Sequence, residues 1–564
     1  MKKYVASTII LSIIFILLLL GSYLFNDDKI KNNVTKGLDN YNFLDNEKYG
    51  NRIDNYTDMI ILNVITYNSN NSSLKRAFGN EYGILYVDKY GDKEIYWNQY
   101  ENLRSSLTNT NDDSLFYGRY WHGYQTILRP LLSIFTYEQS LIFLSIIGYI
   151  LIILSCILVY LKLGLKVLIA YILSLISLNI YVISTCYQYF FSMILMIIFN
   201  IVILFKYKKG SNYCFYFYLF GAVSAYLLYF SFPLITISFP LLILLLLKYK
   251  DGDIQKYKEN IILVFKCSLF WLIGYILFYI LKWIFSTIFV STNFIEDALL
   301  SVNQRLGIVF SFKYLDVLKL NLVEFFNHKF NILFLIISIV LIIINLRKNT
   351  LNKLKIISPI FLIGMMPFVW MFICNNHSAV HYWMISRILS ITIFSLMIIG
   401  IVLLENRKCN NIEKLNLNDY YLLLSTILFI LLYKVSFIFI ILDVILIIIL
   451  KPNKNVKYFE LILIIISCFI FSNKIINKRQ FQNKNFYVNV YNELYHKVKY
   501  YGYDYIKNNT INEEKKIDIR DLITDINPDS VFLLSCDGYA IIDNNDVTPY
   551  INCNNVAVTD GYQK

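Results

Sequence analysis

The chain is 564 residues long, 57% hydrophobic and only 16% charged, with a mean hydropathy of +0.52. A soluble domain carries roughly 25% charged residues, so the composition excludes an ordinary soluble enzyme and points to a multi-pass membrane protein. The net charge of +13 does not signal nucleic acid, because the basic residues sit in short clusters between apolar runs and form no basic face or recognition module.

The N-terminus reads Met-Lys-Lys and then runs apolar from Tyr4 to Phe25. About 20 apolar residues cross a bilayer. No small-residue cleavage site follows, so this stretch reads as an uncleaved first span with a cytoplasmic N-terminus. Residues 26–136 are polar and form a large loop on the outer side. Further apolar runs follow at about 138–160, 167–186, 189–206, 213–231, 234–247, 260–286, 331–346, 356–374, 384–404, 419–433, 435–450 and 458–472. The pattern predicts an all-α polytopic membrane protein of about thirteen transmembrane helices.

The loop charges agree with that count. Lys162 and Lys166; Lys206, Lys208 and Lys209; Lys248, Lys250, Lys256 and Lys258; Arg347, Lys348, Lys353 and Lys355; Arg407, Lys408 and Lys414; and Lys451, Lys454 and Lys457 all fall on one side. By the positive-inside rule that side is cytoplasmic, and an odd number of spans places the C-terminus outside. The tail, 473–564, mixes helix-like and strand-like runs and predicts a small α/β extracytoplasmic domain. Seven of the nine cysteines lie in or beside apolar runs, where Cys acts as a small hydrophobe. Cys536 and Cys553 lie in the tail. No CxxC or Cys/His cluster predicts a zinc site.

Candidate chemistry lies on the outer side. In NRIDNYTDMIILNVI, Asp54 and Asp58 are four residues apart, which puts both carboxylates on one helical face. The apolar run after them predicts a helix lying against the bilayer or the bundle. A carboxylate held there suits a general base, and Asp is equally at home as a helix cap. Arg52 precedes the pair as a substrate-binding candidate. Further on, FYGRYWHGYQTILRPLL sets Arg119, His122 and Arg129 among aromatic residues. That pattern suits either an interfacial belt or a cationic, aromatic-lined site for a phosphate and a sugar ring. Glu296, Asp297 and Arg305 read as solvated charge.

The segment NNHSAVHYWMISR begins at the outer end of a span. It carries Asn376, His377, His381 and Arg387. Polar groups at membrane depth face the bundle or a cavity. His377 and His381 are i, i+4 and share a helical face, with Asn376 and Arg387 on an adjacent one. Either an anion site or a hydrogen-bonded structural cluster accounts for them. A zinc-protease motif fails because Ser378 stands where Glu is required.

The layout of the whole chain resembles the GT-C superfamily of integral-membrane glycosyltransferases: a long outer loop after span 1, acidic residues in it, many spans and an outer C-terminal domain. The resemblance implies a catalytic aspartate in the first outer loop and a polyprenyl-phosphate sugar as donor. It further implies a cell-envelope glycan acceptor and contact with membrane lipid. NDDK (Asp27 and Asp28) stands nearer to span 1, where that superfamily carries its acidic signature, but Asp54 or Asp58 is the preferred base because an anchoring apolar run follows RIDNYTDMIIL and none follows NDDK. RYWHGYQTILRPLL and NHSAVHYWMISR also resemble segments of a bacterial family of multi-spanning proteins, a likeness that supplies no reaction. No cofactor is required, and paired carboxylates leave room for a divalent metal. A polysaccharide polymerase or membrane acyltransferase, a lipid-linked saccharide transporter and a non-enzymatic envelope protein are the rival readings.

Overall fold

The structure, a computed structural model, describes residues 2–39, 55–69, 71–89, 92–96, 99–108, 113–184, 186–308, 311–346 and 350–405, with three short strands in the tail. Among these, six helical stretches are long and apolar enough to cross a membrane: Lys2–Ser22, Tyr137–Leu163, Tyr187–Lys206, Tyr257–Val290, Asn352–Ile373 and Tyr382–Leu404. The chain is therefore a mostly helical, multi-pass membrane protein. The runs expected at 419–433, 435–450 and 458–472 lie outside the described residues.

Helix α1 (Lys2–Ser22) has 21 residues, enough to span about 30 Å. Ile9, Ile10, Ile13 and Leu17 remain more than half exposed, as a lipid-facing side requires. The loop after it is folded. It contains α2 (Asp27–Asp39), α3 (Asn55–Thr66), α4 (Ser73–Gly79), α5 (Gln99–Thr108) and α6 (Gln125–Leu132). Two small antiparallel sheets accompany them. One pairs β1 (Glu81–Gly83) with β4 (Ser114–Phe116), and the other pairs β2 (Leu85–Lys89) with β3 (Asp92–Tyr96). This loop is thus a folded α/β cap. Helix α3, expected against the bilayer or the bundle, lies inside this cap and against the bundle, bonded to it through Asp58, and is buried at every residue from Asp58 to Thr66.

The bundle follows. Thr136 caps α7 (Tyr137–Leu163) in a full capping box with Gln139. Gly164, at φ +89°, turns the chain into α8 (Leu165–Ser177). Then come α9 (Tyr187–Lys206), α10 (Cys214–Leu227), α11 (Ile235–Lys250) and α12 (Tyr257–Val290). Helices α8 and α10, at 13 and 14 residues, are shorter than a full crossing. Helix α10 packs on α12 through two glycines. A Cβ on Gly221 would stand 2.0 Å from the Trp271 carbonyl oxygen, and one on Gly274 would stand 2.2 Å from that of Tyr218. Close backbone approach of this kind is how membrane helices gain packing without a hydrophobic drive between them.

Beyond α12 lie α13 (Phe294–Leu306), α14 (Tyr314–Asn327), α15 (Lys329–Leu346), α16 (Thr350–Ile373), α17 (Asn375–Val380), α18 (Tyr382–Ile385) and α19 (Ser390–Glu405). Helices α14 and α15 meet at a bend of 100°. In the tail the described residues are β5 (Val531–Phe532), β6 (Ala540–Asp543) and β7 (Asp546–Pro549), an antiparallel sheet in that order. The helices expected there lie outside the described residues.

The bundle has two chemically distinct ends. At one, Lys250 Nζ donates to the Lys162 carbonyl (2.6 Å) and Lys209 Nζ to the Asp251 carbonyl (2.7 Å). There Tyr249 also donates to the Ile356 carbonyl (2.8 Å). Four of the basic clusters seen in the sequence therefore share one end. The folded loop, α13, α14 and the 375–389 segment share the other.

Candidate functional site

Asp58 is fully buried. Both of its oxygens accept from the Tyr187 backbone N–H at 3.0 Å, Oδ2 accepts from the Tyr137 hydroxyl at 2.7 Å, and the Gln188 N–H is 3.4 Å from Oδ1. The carboxylate therefore caps the N-terminus of α9 from outside that helix. It answers the unsatisfied N–H groups and the positive dipole end there. Asp54 and Arg52 lie outside the described residues.

Asp27, at the start of α2, reaches solvent, with its side chain 24% exposed. Arg76 Nη1 donates to Oδ2 at 2.8 Å, and Arg129 Nη2 donates to Oδ1. Burial works against ionisation of Asp27. The two guanidiniums more than offset it and hold the carboxyl below the usual range. Arg129 is fully buried and donates its other N–H groups to the carbonyls of Ser22 (3.0 Å) and Ile65 (2.6 Å). Its guanidinium lies 4.3 Å from the Tyr23 ring. Arg129, expected among the substrate ligands, is placed as a clamp that joins α1, α2, α3 and α6.

The aromatic segment 117–124 is core rather than belt. Tyr117, Tyr120, Trp121 and Tyr124 are all buried, and Trp121 Nε1 donates to the Phe278 carbonyl at 2.7 Å. Gly123 lets the chain pass against α10, where a Cβ would stand 2.5 Å from the Tyr226 carbonyl oxygen. His122 sits in a left-handed backbone conformation, φ +53°. Its Nε2 is 2.9 Å from the Tyr117 carbonyl, so Nε2 carries the proton. Nδ1 then accepts from the Tyr124 hydroxyl at 2.6 Å. Burial, with a smaller push from Lys282, holds this imidazole neutral.

Arg119 donates from Nη1 to both oxygens of Asp297, at 2.9 and 3.1 Å. Burial disfavours its charge, but Tyr117 and Asp297 hold it ionised. Asp297, its side chain 30% exposed, is thus paired as well as solvated, whereas Arg305 is buried and not a solvated charge. Helix α13 buries Phe294, Ala298, Ser301 and Arg305, a stripe at helical spacing. Arg305 lies 5.6 Å from the Tyr120 ring and 5.4 Å from that of Phe230.

The opening helix of the 375–389 segment does not run on to Arg387 as expected. It ends at Val380, restarts after His381 as α18, and passes through a 3₁₀ turn at Ser386–Leu389 before α19. Asn376 and Arg387 are therefore not on one continuous face. Asn376 Oδ1 accepts from the Phe312 N–H at 3.3 Å. His377 and His381 do meet, with ring centroids 4.8 Å apart. His377 packs edge-on against Phe230 at 4.9 Å, and its Nε2 lies 3.5 Å from the Ser231 carbonyl. Burial, with His381 and Arg305 beside it, holds His377 well below its ordinary pKa. Burial and Arg305 push His381 down to about 3. Both imidazoles are thus neutral hydrogen-bonding groups, and the positive charge beside them is carried by Arg305. The Arg387 guanidinium, 4% exposed, lies 4.4 Å from the Tyr189 ring.

These pieces converge. Gln188 takes its N–H toward Asp58 and its side-chain Nε2 to Ser231 Oγ and, at 3.5 Å, to Met384 Sδ. Ser231 in turn faces His377. Tyr229 links the same strip to the loop, hydrogen-bonding Tyr124 at 2.8 Å and His122 at 3.2 Å. Two regions more than 300 positions apart thus meet through Gln188, Tyr229 and Ser231. Among the described residues no group of three or more His, Cys, Asp or Glu side chains is placed to hold a metal ion. Sequence reasoning passed over Gln188, Tyr229, Glu324 and His328, none of which stands in a motif. Comparison of the chain with protein-family profiles, curated proteins and solved structures found no match.

Proposed function

We propose that the protein is a membrane glycosyltransferase that moves a sugar from a polyprenyl-phosphate donor to a cell-envelope acceptor on the outer side of the membrane. The observation that supports this reading is the convergence just described. The folded loop after the first span and the buried Arg/His segment before the last described span share one polar end, opposite the basic end. The positive-inside rule makes the basic end cytoplasmic and the polar end extracytoplasmic, where a lipid-linked donor needs no nucleotide.

In this reading an acceptor hydroxyl attacks the anomeric carbon as the bond to the phosphate oxygen breaks. The electron pair leaves with polyprenyl phosphate. Asp27, ionised and partly exposed, joins Asp54 as a candidate to orient the hydroxyl, while Asp58 is committed to α9. The hydroxyl proton ends on the leaving phosphate, whose second pKa is about 6. Arg305, with Arg119 behind it, offsets the charge that develops there. His377, His381 and Asn376 contribute hydrogen bonds rather than charge.

The test is transfer of radiolabelled sugar from polyprenyl-phosphate hexose by the full-length protein in proteoliposomes. Asp27→Asn and Arg305→Gln at wild-type protein level should each reduce transfer by about 10²-fold or more, the scale seen when a positioned charged group is removed. Full transfer in both variants would end the proposal. So would a deletion strain that accumulates lipid-linked sugar on the cytoplasmic leaflet, which is the transporter's signature.

A further inference from the structure

An open cavity of about 280 Å³, counting its mouth, lies at the polar end. Apart from open solvent the cavity holds only about 10 Å³, the space of a single water-sized group. Ser177, Asn179, Glu324, His328, Trp383 and Arg387 line it, with Phe325 and Ser386. Four separate features of the fold meet here. The end of α8 supplies Ser177, and Asn179 follows in a left-handed conformation, φ +61°. Helix α14 supplies Glu324, the corner of the 100° bend supplies His328, and the break before α19 supplies Trp383 and Arg387. The fold thus spends a kink, a strained residue and an interrupted helix on one small cavity.

Its hydrogen-bonding set is specific. Asn179 Nδ2 donates to His328 Nε2 at 3.1 Å, and Asn179 Oδ1 accepts from the Tyr181 hydroxyl at 3.1 Å. The amide orientation is thereby fixed, and His328 presents its other nitrogen as an N–H donor. Glu324 supplies an acceptor and Arg387 a donor. A free anion meets the Glu324 carboxylate here, and a free cation meets the Arg387 guanidinium. A hydroxyl suits both, since one oxygen donates to Glu324 while it accepts from Arg387 or His328. Trp383 and Phe325 add an apolar wall that fits the C–H face of a ring.

We infer that this cavity is a carbohydrate subsite. It reads one hydroxyl of a neutral sugar ring between Glu324 and Arg387, with the ring held at the mouth against Trp383. The inference deepens the glycosyl-transfer reading and rests on it for the ligand's place in a reaction. The chemistry of the cavity stands on its own residues.

The experiment is saturation-transfer NMR on the full-length chain in lipid nanodiscs, with methyl glycosides of glucose, galactose, mannose and N-acetylglucosamine as probes. At least one glycoside should give a saturable signal. Glu324→Gln, a near-isosteric change at a partly exposed site, should weaken it about tenfold, the equivalent of one charge-assisted hydrogen bond. Trp383→Leu should weaken it further by removing the wall. Unchanged binding in both variants would overturn the inference. Absence of signal from every glycoside would do so too, as would displacement of the glycoside by inorganic phosphate at constant ionic strength. The two readings separate cleanly. Glycoside binding without any transfer removes the transferase and leaves the subsite. Transfer with an unaltered KM in Glu324→Gln removes the subsite and leaves the transferase.

Discussion

Asp58 and Tyr187 are 129 positions apart, and the backbone N–H of Tyr187 stands 3.0 Å from both carboxylate oxygens of Asp58. The bond fastens the buried helix α3 of the cap to the first turn of a transmembrane helix. Hydrogen bonds to a charged group contribute about 1.5–3 kcal/mol, and orphaned buried N–H groups cost about 1–3 kcal/mol. Asp58→Ala should therefore lower unfolding stability by roughly 3 kcal/mol, read from the midpoint of an SDS titration in mixed micelles. Asp58→Asn retains one acceptor oxygen and should lose less. If Asp58→Asn kept full stability yet abolished transfer, the carboxylate would be chemical rather than structural.

Asp27 gives a pH prediction. Its folded carboxyl titrates below the ordinary value of 3.8 because Arg76 and Arg129 outweigh its burial. A depressed carboxylate contributes stability above its unfolded pKa and loses it as pH falls through the folded one. The contribution should be constant from pH 7 down to about 4.5 and then fade below pH 4, where the unfolded carboxyl has begun to protonate. Asp27→Asn should remove that acid limb from the stability profile and leave the profile above pH 5 parallel to wild type. An acid limb of the same size in Asp27→Asn would assign it to other carboxylates.

Much of this was legible in the residues. Helices α1, α7, α9 and α12 follow from apolar runs of 18 residues or more, a signal that needs no tertiary context. The shared end of the basic clusters followed from loop charge. The site was less legible, for three physical reasons. Asp58 acts on a helix 129 positions away, and nothing local to NYTD encodes that contact. The break at His381 has no glycine or proline to announce it, so the sequence reads as one continuous helix. Arg305 could have been found: Phe294, Ala298, Ser301 and Arg305 form a stripe at helical spacing, and its charge drew attention away from that register.

The α10–α12 contact depends on two glycines. Alanine at Gly221 or Gly274 would place a Cβ within 2.0–2.2 Å of a backbone oxygen, and a rigid backbone cannot yield as a side-chain tip can. The helices must separate. Overpacking of this kind costs about 1–3 kcal/mol, so each single variant should lose stability in that range. The double variant should cost less than the sum, since one separation relieves both clashes. Additive losses in the same SDS titration would show that the two positions yield independently.

Arg129 separates a structural arginine from a ligand. Its N–H groups reach three diverging acceptors: the carbonyls of Ser22 and Ile65 and the carboxylate of Asp27. Lysine offers one compact ammonium on a flexible stem and cannot meet all three. Arg129→Lys should leave a buried carbonyl without its donor and cost about 1–3 kcal/mol. Arg129→Gln also strips Asp27 of one cation and should cost about 3–5 kcal/mol, the range for breaking a buried ion pair. Transfer activity should follow folded protein in Arg129→Lys, which keeps a cation beside Asp27, so that activity per folded molecule stays within about twofold of wild type, well under 1 kcal/mol. A fully stable Arg129→Lys protein with no transfer would show that Arg129 acts in the reaction, as a substrate ligand or by positioning Asp27, and is more than a clamp.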